Sequence, residues 1–164
     1  MDRYEGPLLA YAIRLLAGDV DRARDLVQDV FLRLVRADRS AIGERMSAWL
    51  FRVCRNRARD LQAREKPMRE LDVDETPLDT AAGPLESLEA QDDATRIRTA
   101  VARLPERERE LLHLKFQHGL SYEEMGEVTG LTATNVGFLL HKALRSLREL
   151  LPDAAGSARR ECAS

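Results

Sequence analysis

The sequence predicts an all-α protein of two small helical domains joined by a flexible acidic linker, the second ending in a helix-turn-helix. Three observations carry that expectation. Apolar residues recur at three- and four-residue steps in several separate stretches, as amphipathic helices require. Residues 67–85 lose all periodicity and collect Pro67, Pro77, Gly83 and Pro84 among Asp, Glu and Thr. Near the end, Leu120–Leu151 reads as two short helices around a glycine turn, the second of them basic and amphipathic.

The first helix is expected with Pro7 in its first turn, where the missing N–H costs nothing. Leu8, Leu9, Ala12, Ile13 and Leu16 form its apolar face, and Gly18 stops it. Asp19 caps a second helix whose stripe runs through Val20, Ala23, Val27, Val30, Phe31 and Leu34, widened by Leu26 and Val35. Arg22, Asp25, Asp29, Arg33 and Arg36 fall on the wet side. Polar residues from Ala37 to Ser47, with Gly43 among them, read as a loop. A third helix, Ala48 to Glu65, turns Trp49, Leu50, Val53, Cys54, Ala58 and Leu61 inward and Arg52, Arg55, Asn56 and Arg59 outward. Between Arg45 and Lys66 stand seven basic residues against Asp60 and Glu65. That is either a solvated face or a track for nucleic-acid phosphates.

After the linker, a helix spans roughly Leu85 to Ala102 and breaks before Pro105, because the residue preceding a proline avoids the helical region. Pro105 opens the next helix, with Leu111, Leu112, Leu114 and Phe116 as apolar material and Gly119 as its end. Ser121 and Glu124 make an S-x-x-E capping box, Gly130 offers a left-handed stop, and Thr132 caps the last helix. Val136, Leu140, Leu144, Leu147 and Leu151 form its stripe, while Thr134, Asn135 and Phe138 show on the opposite face, followed by Lys142, Arg145 and Arg148. A helical hairpin with no nucleic-acid role would share this pattern. Residues 152–164 read as a disordered tail.

Net charge is -2, but it is unevenly spread: +4 over residues 1–66, -8 over 67–95, +2 over 96–151 and zero beyond. Two basic blocks flanking an acidic one fit nucleic-acid contact better than the total does. No apolar run approaches the ~20 residues of a membrane span. The start, MDRYEG, lacks the apolar core of a signal peptide, so the expected location is the cytoplasm. Cys54 and Cys162 make neither a disulfide framework nor a zinc site. His113, His118 and His141 have no partner at metal spacing. No phosphate loop, nucleophile elbow or Cys/His cluster is present, so no cofactor, metal or catalytic activity is expected.

Three ordered motifs then carry a family resemblance: ARDLVQDVFLRL at 23–34, AWLFRVCRNRARD at 48–60, and LPERERELLHLKF with GLSYEEMGEVTGL across 104–131. Together, around an acidic linker, they resemble the extracytoplasmic-function sigma factors, the two-domain minimal class of bacterial transcription initiation factors. The resemblance implies a domain at 1–66 that binds RNA polymerase core and opens the promoter at its minus-ten element. It implies a linker at 67–85 threading toward the RNA exit path, and a domain at 86–151 that reads the minus-thirty-five element. The linker charge fits RNA mimicry and a plain solvated spacer equally well.

By the same resemblance, the polymerase surface maps to Asp21, Asp25, Gln28, Asp29 and Arg33. The minus-ten surface maps to the 37–47 loop and to Trp49, Arg52, Arg55, Asn56 and Arg59, although Trp49 fits a core aromatic better than a base-stacking one. The minus-thirty-five surface maps to Thr132, Thr134, Asn135, Phe138, Lys142 and Arg145. Promoter DNA and polymerase core are the implied partners, an anti-sigma factor a further one, and the free protein is expected to be a monomer. Two departures stand out. Arg22 and Arg24, in the stretch RARD at 22–25, replace acidic residues usual there in that family, and Gly137 and Leu139 stand where the recognition helix usually carries basic ones. Two other readings fit the residues: a free-standing helix-turn-helix regulator that binds operator DNA as a dimer, and a protein-interaction module.

Overall fold

The computed structural model describes residues 2–69 and 88–151, so most of the expected linker and the whole expected tail lie outside the described residues. Every element among the described residues is helical: α1 (Asp2–Leu15), α2 (Val20–Arg36), α3 (Arg39–Ile42), a 3-10 turn (Gly43–Arg45), α4 (Met46–Arg69), α5 (Leu88–Ala102), α6 (Glu106–Phe116), α7 (Tyr122–Thr129) and α8 (Ala133–Leu150). Contacts divide the described residues into two compact units, residues 2–69 with 123–131, and residues 88–122 with 132–151.

In the first unit α1, α2 and α4 pack mutually. Leu8, Tyr11 and Ala12 of α1, and Leu16 just past its end, meet Ala23, Leu26, Val27, Val30 and Leu34 of α2 and Leu50, Phe51, Cys54 and Ala58 of α4 in one buried core. Tyr11 and Phe51 touch edge to face at 5.2 Å between centroids. Such a pair adds about 0.5–1.5 kcal/mol to the burial of its rings. The Cys54 thiol is fully buried, and desolvation pushes its pKa up to about 12. It is a small apolar side chain here, as its place in the stripe indicates.

Five differences from the sequence expectation have local causes. Pro7 lies inside α1, not in its first turn. The N–H it lacks would have served the Arg3 carbonyl, close to the helix end, so the loss is borne by a solvent-exposed turn. Val20 and Val35 are exposed, so the stripe of α2 is narrower than predicted. The 37–47 loop is largely helical. Asp38 caps α3 by accepting from the Ser40 N–H at 2.9 Å and the Ser40 hydroxyl at 2.5 Å, and Ile42 is buried. Those bonds from Ser40 hold the Asp38 carboxyl below its ordinary pKa. α4 is 24 residues long and its backbone stays helical through Pro67 into the expected linker. Phe116, predicted as apolar material for the core, is exposed at the end of α6.

In the second unit α8 packs on α6 and on α5. Leu104, Leu111, Leu112, Leu114, Leu120, Val136, Leu140 and Ala143 are buried there. Leu144, Leu147 and Leu151 are half-buried, which keeps the predicted stripe of α8 in place. Pro105 stands at the N-cap of α6, its carbonyl accepting from the Arg109 N–H at 3.0 Å. α7, nearly all of which falls in the first unit, ends at Gly130, whose φ of +76° a side chain would strain and whose N–H bonds the Gly126 carbonyl at 2.8 Å.

Candidate nucleic-acid interface

The core-facing stripe of α2 leaves a polar face opposite it. Asp21, Asp25, Gln28 and Arg33 are exposed and Asp29 is half-buried. Leu32 and Val35 continue that face as exposed apolar side chains. Asp29 is not a free acid. Its Oδ2 accepts from Arg57 Nε at 2.8 Å and from Arg33 Nε at 3.3 Å. Arg22, one of the two arginines that depart from the family pattern, pairs with Glu65 of α4. Its charge is thereby turned into the fold. Arg24 stays exposed, at 4.0 Å from Asp21.

On α4, Arg52, Asn56 and Arg59 are exposed as expected, and Trp49 is half-buried. Arg55 is the correction: it is only 4% exposed and lies on the inward side of the helix. The reason is register. Residue 55 falls one turn after Phe51 and beside Cys54 and Ala58, all buried, so the helix turns it toward the core. Its long stem makes that position tolerable.

On α8 the Thr132 hydroxyl caps the helix, accepting from the Asn135 N–H at 3.2 Å. Thr132 is therefore committed to the helix start, and the side chains of Thr134 and Asn135 stand exposed in the first turn. Phe138 is 67% exposed one turn along. Lys142 Nζ lies 3.0 Å from Oε1 of Glu108, a carboxylate of α6 that is only 3% exposed, while the lysine itself is 56% exposed. Arg145 is exposed beyond it.

Two residues near this surface escaped the sequence reading. The Tyr122 ring lies against Gly137, where a Cβ would come within 3.3 Å of it, and Lys115 Nζ sits 5.2 Å from the same ring. The missing side chain at 137 is what admits the ring. A glycine in the exposed part of an amphipathic helix was the only sequence signal for this close approach.

Residues 1–67 match Sigma-70 region 2, and residues 94–147 match Sigma-70, region 4. The ECF RNA polymerase sigma factor EcfG of Rhodopseudomonas palustris (strain TIE-1) is 33% identical over 147 residues, spanning 88% of this chain and 78% of that protein. The chain belongs to the ECF RNA polymerase sigma factors. SigW of Bacillus subtilis (strain 168), another ECF sigma factor, is 27% identical across 93% of this chain and 87% of its own. A solved structure of the sigma factor RpoE in complex with the anti-sigma factor NepR from Bartonella quintana superposes with a TM-score of 0.67 at 26% identity, covering 91% of this chain and 92% of that one.

The protein is thus a two-domain alternative sigma factor that directs RNA polymerase. The free-standing regulator is not favoured, because region 2 occupies the first 67 residues and region 4 only the second part. Among the described residues no helix is long and apolar enough to cross a membrane, and no group of His, Cys, Asp and Glu is arranged to hold a metal ion.

Proposed function

We propose that this sigma factor docks on RNA polymerase core through the exposed face of α2, Asp21, Asp25, Gln28, Asp29 and Arg33. The promoter's minus-ten element is opened along Arg52, Asn56 and Arg59 of α4, with Trp49 at the edge of the core. The minus-thirty-five element is read by Thr134, Asn135 and Phe138. Lys115, Tyr122, Lys142 and Arg145 flank them toward the phosphates. Base edges call for short, exposed donors in the first turn of a recognition helix, and phosphates call for cations further along it. The sigma factor does no chemistry itself and works in the cytoplasm on the polymerase, which carries the catalytic site. A protein partner of the anti-sigma type is supported by the solved relative, whose partner is one.

The observation that carries this reading is the pairing, in one chain, of a polar acidic face on α2 with a capped recognition helix. Size-exclusion chromatography with and without core polymerase tests it. The expected result is a monomer alone and a stoichiometric complex with core. Asp25→Lys should abolish that complex while leaving helical content unchanged, because Asp25 is exposed. A dimer that binds duplex DNA without polymerase would overturn the reading in favour of a free-standing regulator.

A further inference from the structure

We infer that Arg57, which lies within the 48–60 motif but is assigned to none of the implied surfaces, is a positioning residue for core binding and acts by orienting the carboxylate of Asp29. The inference rests on the core-binding reading of α2. Arg57 comes from α4 and is mostly buried, with a quarter of its side chain exposed. It lines the groove between α2 and α4 together with Arg22, Asp25, Leu26, Asp29 and Leu61. Its guanidinium is held from two sides, by the 2.8 Å bond to Asp29 and by Asp60 of its own helix at 3.8 Å. Arg33, the other donor to Asp29, reaches it at 3.3 Å from one turn along α2 and is about half exposed. A half-exposed i,i+4 pair exchanges readily with water. The lasting constraint on Asp29 therefore comes from Arg57.

Both donors fall on Oδ2, and among the described residues Oδ1 accepts no hydrogen bond. One oxygen is thus anchored to the fold while the other is presented on the docking face. An unanchored aspartate on a helix surface would have to be ordered when the partner binds, at a cost of roughly two- to tenfold in affinity. Against this, the positive charge of Arg57 offsets the negative charge of Asp29 and weakens attraction to a basic partner at a distance. That opposing effect is screened beyond about 8 Å at physiological salt, so orientation should prevail, and more clearly as salt is raised.

The experiment measures affinity and dissociation rate of the full-length protein for core polymerase, at physiological and doubled salt, alongside thermal melting. The variants are Arg57→Gln, Arg57→Lys, Asp29→Asn and Arg57→Gln with Asp29→Asn. Arg57→Gln should weaken binding two- to tenfold, Arg57→Lys should recover part of that, and Arg57→Gln should add nothing once Asp29 is Asn. Unchanged or tighter binding by Arg57→Gln overturns the inference. So does an equal loss in the Asp29→Asn background, which would show that Arg57 acts on the bundle and not on Asp29. If Asp29→Asn alone leaves core binding untouched, the docking face itself is misassigned and the inference falls with it, whereas the two earlier outcomes leave that face standing.

Discussion

Lys142 lies on the side of α8 expected to meet phosphate, yet its ammonium is paired with a carboxylate inside the fold. Replacing it by alanine would leave Glu108 3% exposed and without that cation. Breaking a fully buried ion pair from one side costs about 3–5 kcal/mol, and an exposed pair is worth about 0–1 kcal/mol. The contact falls between these limits. Lys142 is 56% exposed and already half solvated. Glu108 lies in the first turn of α6, where the helix dipole favours an anion by up to ~1 kcal/mol. Lys142→Ala should therefore destabilise the second unit by about 2 kcal/mol, which lowers Tm by about 10 °C for a unit of this size.

Glu108→Gln should cost less, about 1 kcal/mol, because the freed ammonium returns to water. In the double variant the loss from Lys142→Ala should shrink by more than 1 kcal/mol. Urea and thermal denaturation of the four proteins, followed by circular dichroism, measure this cycle. A destabilisation by Lys142→Ala under 0.5 kcal/mol, or one that persists unchanged beside Glu108→Gln, would refute the reasoning. A pure phosphate ligand would instead lower the salt slope of promoter binding by about one unit at unchanged stability.

Asn135→Ala should relax preference at one minus-thirty-five base pair by roughly 1–3 kcal/mol; a randomised minus-thirty-five library returning the same preferred sequence for both proteins would remove the base-reading role. Arg22→Glu should lower stability by up to about 1 kcal/mol through repulsion with Glu65, whereas Arg24→Glu, on an exposed side chain, should leave the melting curve unchanged and tighten core binding; weaker binding by Arg24→Glu would mean that Arg24 has an acidic partner on the polymerase. The Cys54 thiol, with its pKa raised by burial, ionises more readily in the unfolded chain, so its contribution to stability is complete below about pH 9 and is lost as pH rises past it. A thiol reagent at neutral pH should therefore modify Cys54 only when denaturant is present, and rapid native-state labelling would contradict its burial.

What the sequence made legible was local. Asp19 and Thr132 cap the helices they were expected to cap, since a capping bond spans three residues and depends on nothing else. Gly130 stops α7 for the same kind of reason. The short α3 was also written locally, as Asp38, Ser40, an apolar Ile42 and a glycine stop, but a polar composition hid it. The inward turn of Arg55 is legible in the spacing of Phe51, Cys54 and Ala58, but the charge of an arginine points the other way, toward water. The pairs Arg22–Glu65, Asp29–Arg57 and Glu108–Lys142 were out of reach. Each joins residues 28 to 43 positions apart, or two helices of the second unit, and depends on how one helix is rotated against another.

Those long-range pairs change what the charge pattern means. Seven basic residues between Arg45 and Lys66 read as a strong phosphate track, since each phosphate neutralised adds about 0.9 to the salt slope. The fold withdraws two of them. Arg55 is buried, and Arg57 is bound to Asp29. In the second unit Lys142 is shared with Glu108, and position 137 carries no side chain at all. Part of the basic charge thus holds helices together before it meets any nucleic acid. Each proposed DNA surface is left with fewer exposed cations than its composition suggests, Arg52 and Arg59 among those remaining in one unit and Arg145 in the other. Surfaces of so few cations bind a duplex weakly when taken singly. Holding both on one polymerase turns the second contact into an intramolecular one, so that two weak surfaces act as one strong one. On the proposed reading, a sigma factor built this way should gain little from occupying promoters alone, and its need for core polymerase would follow from where the folded chain has placed its arginines and lysines.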